Sequence, residues 1–223
     1  MDVQLFVPCF IDQLYPHTAF NMIKVLEKLG CNVHYNINQT CCGQPAFNAG
    51  FRDEARDVGQ KFLADFAGAG YIVSPSASCS GFVKNYYPGL FDNSSWHNDV
   101  KDTGKRLFEF STFLTEVLEV EDVGAELHIK SGPRRLLQCV KGLELVEMND
   151  VETCCGFGGT FAVKFEAISI AMGEQKLVNA GDTGAGYIIS TDMSCLMHLD
   201  GIIKNKGLNM QTLHIADVLA SGW

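Results

Sequence analysis

The segment Gly68-Ala-Gly-Tyr-Ile-Val-Ser74 returns almost unchanged as Gly184-Ala-Gly-Tyr-Ile-Ile-Ser190. Each copy is a glycine-rich turn followed by an apolar run, which is the pattern of a buried β-strand. In both copies a single cysteine lies eight residues after the tyrosine, at Cys79 and at Cys195. The duplication indicates two similar halves, and it makes the cysteines the first candidates for function.

A second pair of motifs precedes these segments in both halves. Thr40-Cys41-Cys42-Gly43 in the first half matches Thr153-Cys154-Cys155-Gly156 in the second. The glycine lets the backbone pass close to sulfur, and free amides there can donate hydrogen bonds to a bound cluster. A scaffold that keeps a cysteine set in each copy predicts two metal or cluster sites.

The pattern around these motifs predicts the fold class. Strands alternate with helices in both halves, which favours parallel sheets with helices packed on their faces. We predict an α/β fold of two pseudo-repeated halves, each a small parallel sheet flanked by helices, with the cysteines in loops after strands. The predicted strands are residues 3–7, 31–35, 71–73, 143–148 and 187–189, and the predicted helices are residues 16–29, 51–66, 79–88, 133–140, 165–180 and 196–204.

The two halves also define a domain organisation. We expect a first repeat at residues 1–91, a mainly helical linker at 92–128 with its helix at 107–118, and a second repeat at 129–223. Aligning Gly30 with Gly142 places Glu121 opposite Cys9, so the second repeat lacks an opening strand and a cysteine. Because losing a strand removes core from both faces of a parallel sheet, we predict that about a dozen residues are missing near 127–130, unobserved or deleted.

Composition excludes several classes of protein. The chain has 223 residues, of which 47% are hydrophobic and 19% charged, so it is not a disordered chain. Its net charge of -9 argues against a nucleic-acid or anionic-membrane partner. No apolar run approaches the roughly 20 residues of a membrane span. The start shows no signal-peptide pattern, so we expect a cytoplasmic protein.

Nine cysteines require a chemical explanation. In a reducing compartment, metal ligation or redox chemistry is a better interpretation than a disulfide framework. Cluster iron prefers thiolates and usually takes four. The first half offers a complete set and the second half an incomplete one. The predicted ligands are Cys9, Cys41, Cys42 and Cys79 for the first set, and Cys154, Cys155 and Cys195 for the second.

The remaining cysteines and histidines are weaker candidates. Cys31 and Cys139 are predicted to be packing residues. His198 follows Cys195 by three residues, so it is either a ligand of the second set or a structural residue. His214 lies in an apolar pattern and is predicted to be packed. No catalytic residue can be assigned.

Taken together, these motifs resemble the CCG cysteine-rich iron–sulfur family, which includes the cysteine-rich subunit of heterodisulfide reductase and the iron–sulfur subunit of glycolate oxidase. The resemblance is fullest to the lactate-utilization branch and covers nearly the whole chain. It rests on Val7-Pro-Cys-Phe-Ile-Asp12, Gln39-Thr-Cys-Cys-Gly-Gln-Pro-Ala-Phe-Asn48, Gly142-Leu-Glu-Leu-Val-Glu-Met148, Cys154-Cys-Gly-Phe-Gly-Gly-Thr-Phe161 and Cys195-Leu-Met-His198.

The resemblance implies a cytoplasmic electron-transfer subunit with one or two iron–sulfur clusters, expected to be 4Fe-4S. It implies an oxidoreductase role in a multi-subunit lactate dehydrogenase, with two partner subunits, that oxidises L-lactate to pyruvate. The family's Asp-Ser-Cys-His segment is missing before residue 129. Phe82 and His198 replace the last cysteine of each heterodisulfide-reductase repeat, so a five-cysteine cluster is not supported.

Two other interpretations stay open. One is a dithiol/disulfide oxidoreductase of the heterodisulfide-reductase type, in which the paired cysteines carry out thiol–disulfide exchange. The other is a non-catalytic module stabilised by zinc, although zinc sites usually bring ligands in pairs two to four residues apart, which this chain does not do.

Overall fold

In the computed structural model, which describes residues 1–120 and 132–221, the first half is built on a parallel sheet. Its strands are β1 (Asp2–Leu5), β2 (Asn32–Tyr35), β3 (Tyr71–Ser74) and β4 (Leu107–Glu109), in the order β2-β1-β3-β4. Val3 of β1 pairs with a residue of each neighbouring strand, so β1 lies inside the sheet. This position explains why its apolar side chains are fully buried.

Seven helices accompany this sheet in the described part of the first half. The helix α2 begins with Pro16, whose fixed φ suits the first helical position, and buries one apolar face. The helices are α1 (Cys9–Leu14), α2 (Pro16–Lys28), α3 (Gln44–Ala49), α4 (Arg52–Asp65), α5 (Ala77–Leu90), α6 (His97–Arg106) and α7 (Phe110–Glu116).

The helix predicted at residues 107–118 is wrong at its beginning. Leu107 pairs with Ile72 of β3 and is fully buried, so residues 107–109 extend the sheet as β4. Helix α7 starts only after Glu109, whose carboxylate accepts hydrogen bonds from the amides of Ser111 and Thr112. The capping carboxylate therefore sets the helix boundary, and an open sheet edge outweighs the helical periodicity.

The second half has a smaller sheet. Strands β5 (Tyr187–Ser190) and β6 (Gln211–His214) pair in parallel, with Ile188 opposite Thr212. The helices of this half are α8 (Gly132–Gln138), α9 (Thr160–Lys164), α10 (Glu166–Gly181), α11 (Met193–Lys206) and α12 (Ile215–Ser221).

The strand predicted at residues 143–148 is not formed. By its place after α8, this segment corresponds to β2, whose sole partner in the first half is β1. Within the residues that the structure describes, the second half has no strand at the position of β1. A strand without a neighbour cannot satisfy its backbone groups by pairing, which accounts for the difference. The chain interruption predicted near 127–130 lies outside the described residues.

The predicted fold class is confirmed, with a correction to where three cysteines lie. Cys9, Cys79 and Cys195 occupy the first turns of α1, α5 and α11 rather than loops. The reason is local, because Ser76 and Asp192 cap α5 and α11 before their cysteines are reached. The two cysteine pairs do lie in loops.

Both halves contribute to one hydrophobic core. Residues of β1 and α2 pack together with residues of β5, α11 and α12 in one cluster, and a second, aromatic-rich cluster belongs to the first half. Helix α2 packs on α12, where Thr18 and Asn21 donate hydrogen bonds to Asp217 at 3.1 and 2.9 Å. In the part of the chain that is described, no helix has the length and apolar character needed to cross a membrane.

Candidate metal centres

The structure brings the four cysteines of the first half into a continuous chain of thiols. The thiol of Cys9 at the start of α1 lies close enough to interact with that of Cys41, Cys41 with Cys42, and Cys42 with Cys79 in the first turn of α5. Three different elements thus deliver their sulfur atoms to one place beside the carboxyl ends of β1 and β3. We call these residues the first thiol set.

The surroundings of Cys41 favour its thiolate form. The thiols of Cys42 and Cys9 lower the pKa of Cys41 to about 3, and the Gly43 amide donates to its sulfur at 3.4 Å. The pKa values of Cys9 and Cys42 are raised, in each case first of all by the interaction with Cys41. A thiolate is the ligand form that iron requires.

The loop that carries the cysteine pair is held in place from two sides. The Tyr87 hydroxyl donates to the Cys42 carbonyl at 2.7 Å from a fully buried position on α5. The Gln39 side chain accepts from the Val7 amide at 2.8 Å and donates to the Leu5 carbonyl at 3.1 Å. These contacts fix the pair relative to the end of β1. Sequence reasoning missed both residues, although Gln39 directly precedes the quoted motif.

Gly43 permits a close approach between this loop and α4. Its φ is 86°, and a methyl group there would lie 3.0 Å from the Ala55 carbonyl oxygen. A residue with a side chain would be strained in this conformation and would push the loop away from the helix. The glycine of the motif is therefore required by packing.

The second thiol set consists of Cys154, Cys155 and Cys195. The sulfur of Cys155 lies 2.8 Å from the sulfur of Cys195, and the Gly156 amide donates to the sulfur of Cys154 at 3.4 Å. The contact with the Cys195 thiol lowers the pKa of Cys155 to about 7, while the same contact raises that of Cys195. No fourth thiol joins this set among the residues that are described, and all nine cysteines of the chain have free thiols.

An open cavity of about 1030 Å³ lies beside the second thiol set. Its walls include the three cysteines, the segment 143–148 and one side of β5. In the first half, β1 fills the space between β2 and β3. The cavity is thus bounded by segment 143–148 and β5, which correspond to β2 and β3 of the first half.

The other candidates have structural surroundings. His198 Nε2 is 3.4 Å from the Ser169 hydroxyl and 3.3 Å from the Ser169 carbonyl on α10, which favours a structural role over ligation. Cys31 is buried and His214 is fully buried, as predicted. The prediction that Cys139 is packed is wrong, because this residue lies just beyond the end of α8 and is exposed. Its thiol donates a hydrogen bond to the Arg135 carbonyl.

The thiol sets differ in how well they fit a metal group. In the described ranges, no three His, Cys, Asp or Glu side chains close around a point as a single ion requires. The first set instead offers four soft donors in an extended chain, which suits a cluster that spreads its thiolates over several irons. The second set fits such a group less well, because it is one thiol short of four.

The sequence was compared with known proteins. The family model described as CCG, cysteine-rich domain, matches residues 3–84 and 119–200, once in each half of the chain. Lactate utilization protein A of Geobacillus kaustophilus is 40% identical over 98% of this chain and 98% of its own length. The Shouchella clausii protein of the same name is 40% identical over 99% of both chains, and lactate utilization protein A 1 of Bacillus mycoides is 40% identical over 98% of this chain and 96% of its own.

These comparisons also bear on the missing strand. The alignment with the Geobacillus protein spans 235 positions, whereas this chain has 223 residues. At least 12 aligned positions therefore have no counterpart here. This number agrees in size with the dozen or so residues that the repeat comparison predicts to be missing.

Proposed function

Because the chain belongs to the CCG cysteine-rich domain family, we propose that it is an iron–sulfur electron-transfer subunit of a complex that oxidises L-lactate to pyruvate. The observation that carries the proposal is the chain of four thiols at Cys9, Cys41, Cys42 and Cys79. Lactate comes from the names of relatives that align with this chain almost from end to end.

The residues around the first thiol set prepare it for a redox group. An iron–sulfur cluster, when bound, takes up and releases single electrons. The lowered pKa of Cys41 favours its thiolate, which is the form that ligates a metal. Cys42 and Cys79 are nearly excluded from solvent, and Phe82 and Tyr87 pack around them. Exclusion of water and hydrogen bonds from backbone amides to the sulfur atoms set the reduction potential of a bound cluster.

Partners follow from the chemistry of the substrate. Oxidation of a 2-hydroxy acid needs an acceptor for a hydride or its equivalent, and the chain has no flavin or nicotinamide fingerprint. We propose that two partner subunits complete the reaction in the cytoplasm and that this chain relays electrons between them. A reducing compartment agrees with nine free thiols.

Anaerobic purification followed by iron, sulfide and zinc analysis tests this function. We expect about four irons and four sulfides per chain, together with broad visible absorption. The isolated chain should show no lactate-dependent turnover and should recover it with its partners. Zinc without sulfide would support the zinc-stabilised module instead. Robust turnover by the isolated chain without flavin would contradict the relay role.

A second candidate function rests on the second thiol set. Cys155 and Cys195 lie 2.8 Å apart at sulfur, and the pKa of Cys155 is about 7, which suits an attacking thiol at neutral pH. Two such thiols can form one disulfide by passing two electrons and two protons to a disulfide substrate, which leaves as two thiols. Detection of a Cys155–Cys195 disulfide after treatment with a disulfide substrate, and its loss in Cys195→Ser, would support this function.

A further inference from the structure

Asp192 lies where the two halves meet, between the first turns of the two helices that carry single cysteines. One carboxylate oxygen, Oδ1, accepts hydrogen bonds from the amides of Ser194 at 2.9 Å and Cys195 at 3.4 Å, and so caps α11. The other, Oδ2, accepts from the amide of Ser78 at 2.7 Å, which belongs to α5 in the first half. A single buried carboxylate therefore joins the helix starts that present Cys79 and Cys195.

The pseudo-symmetric counterpart of Asp192 does only half of this. Ser76 precedes Cys79 by three residues, as Asp192 precedes Cys195. The Ser76 hydroxyl accepts from the Cys79 amide at 3.3 Å and so caps its own helix. A serine has one oxygen and a short side chain, whereas a carboxylate has two oxygens that can serve two helices. The repeats thus differ at the position where a link between them is made.

Backbone contacts hold the same junction closed. The Ala77 amide donates to the Thr191 carbonyl at 3.3 Å, and Ser76 and Asp192 form an isolated antiparallel bridge. Asp192 is only 7% exposed and Ser76 is fully buried. The two helix starts are therefore fastened to each other inside the protein, and water does not screen the charge between them.

The charge of Asp192 is balanced by backbone amides and by the Ser194 hydroxyl, which also donates to Oδ1. Within the ranges that the structure describes, no lysine, arginine or histidine forms an ion pair with it. The amides that bind it belong to the amino-terminal turns of α5 and α11, where the helix dipoles are positive. Those same turns face the two thiol sets. A carboxylate placed there offsets part of the positive field that an anionic group at Cys79 would otherwise experience.

We propose that Asp192 is a positioning residue shared by the two thiol sets, which fixes Cys79 and Cys195 relative to each other. Asp192 belongs to the second half, but its negative charge also makes the redox group of the first set harder to reduce. The part that concerns redox potential rests on the proposed function. The part that concerns position does not, because it concerns only this chain's hydrogen bonds.

Hydrogen exchange tests the positioning role on the protein as purified. In Asp192→Ser, the serine copies Ser76 and can still cap α11, but it cannot reach Ser78. We expect hydrogen exchange in a peptide covering residues 76–82 to become roughly tenfold faster, because one charge-assisted hydrogen bond is lost. Exchange in residues 192–198 should change much less. Equal effects in both peptides, or none, would overturn the positioning role.

Potentiometry tests the electrostatic role on the reconstituted protein. We expect the midpoint potential of the first set's group to become more positive in Asp192→Ser and in Asp192→Asn, because a nearby negative charge disfavours the reduced state. Glu109→Gln is the matched control, since Glu109 is a partly buried capping carboxylate on a helix without a cysteine. An unchanged potential in both Asp192 variants would overturn this role. A wild-type chain that binds no iron would refute both the proposed function and the electrostatic role of Asp192. Hydrogen exchange would still test its positioning role.

Discussion

Cys41 differs from Cys9 and Cys42 in the direction of its pKa shift. The neighbouring thiols and the Gly43 amide lower the pKa of Cys41, whereas the interaction with Cys41 raises the pKa values of Cys9 and Cys42. The loop that carries the cysteine pair is held by the Tyr87 hydroxyl. This arrangement makes Cys41 the residue whose loss should disturb the site most.

Replacing Cys41 with serine should abolish metal binding at the first thiol set. We expect bound iron and sulfide to fall by one full cluster after anaerobic reconstitution, because a serine hydroxyl is not ionised and is a harder ligand. Iron and sulfide analysis measures this loss. Cys139→Ser is the control, since Cys139 lies at the end of α8, outside both thiol sets. Full cluster content in Cys41→Ser would remove this residue from the ligand set.

Cys155 should be reactive in the metal-free protein at lower pH than an ordinary cysteine. Its pKa of about 7 lies below the ordinary value of 9.0, because its sulfur is in contact with the Cys195 thiol. The thiolate is the nucleophile, so the alkylation rate should rise as pH passes through about 7. Peptide mass spectrometry after timed iodoacetamide treatment measures this rate. In Cys195→Ala the rise should move to higher pH, and an unmoved profile would contradict the assigned cause.

At the scale of elements, the loop before α9 depends on Gly156. Its φ is 90°, and a methyl group there would collide with the Ser169 carbonyl of α10. Gly142 has a similar φ of 81°, but nothing lies near its missing side chain. A side chain at Gly142 would therefore cause backbone strain alone, whereas one at Gly156 would cause both backbone strain and steric overlap.

Gly156→Ala should destabilise the protein more than Gly142→Ala. We expect strain alone to cost on the order of 1 kcal/mol at Gly142. At Gly156 a further 1–3 kcal/mol, roughly, should come from overpacking against α10. Urea unfolding of the two variants measures the difference. Equal midpoints would show that the loop moves away from α10 without cost.

His214 at the end of β6 should make stability depend on pH. Burial lowers its pKa below 6.5, and its Nδ1 accepts from the Ala216 amide at 3.2 Å, which requires a neutral ring. The unfolded chain binds a proton at about pH 6.5, so stability should be lost as pH falls from there through the lower folded pKa. The free energy of unfolding measured at several pH values checks this. His214→Asn, which keeps an acceptor, should flatten the dependence, and an unchanged slope would assign it to other groups.

How much the sequence predicts depends on whether an element is determined locally. β5 follows from its apolar run and preceding glycines, and it is found where predicted. Residues 143–148 have a comparable run but form no strand, because strand formation depends on a neighbour that local sequence does not reveal. Spacing alone identifies the cysteines of the first thiol set. It does not identify Tyr87 and Asp192, because their partners lie 45 and 114 residues away.

For the whole molecule, the two repeats are unequal in what they can bind. The first has four thiols in one chain, and the second has three beside a cavity of about 1030 Å³. In the first half Cys9 is carried just beyond the end of β1, and within the described residues the second half has neither a strand nor a cysteine at that position. A cluster count for the whole chain therefore tests the repeat comparison directly.

Inserting a strand and a cysteine near residues 127–130 should raise the metal content from one cluster to two. A copy of Val3-Gln-Leu-Phe-Val-Pro-Cys9 supplies both, because this segment fills the equivalent position in the first half. We expect iron per chain to rise about twofold, as each cluster takes four thiolates. The same insert with its cysteine replaced by serine is the control. An unmodified chain that already holds two clusters would contradict the single-cluster account.

The packing of α2 against α12 also bears on synthesis. Thr18 and Asn21 find their partner, Asp217, almost 200 positions later in the chain, and a core shared by both halves surrounds this contact. A ribosome makes on the order of 5–20 residues each second, so α12 is synthesised roughly ten seconds or more after α2. During that interval the apolar face of α2 is uncovered and the nascent chain is open to holdase chaperones.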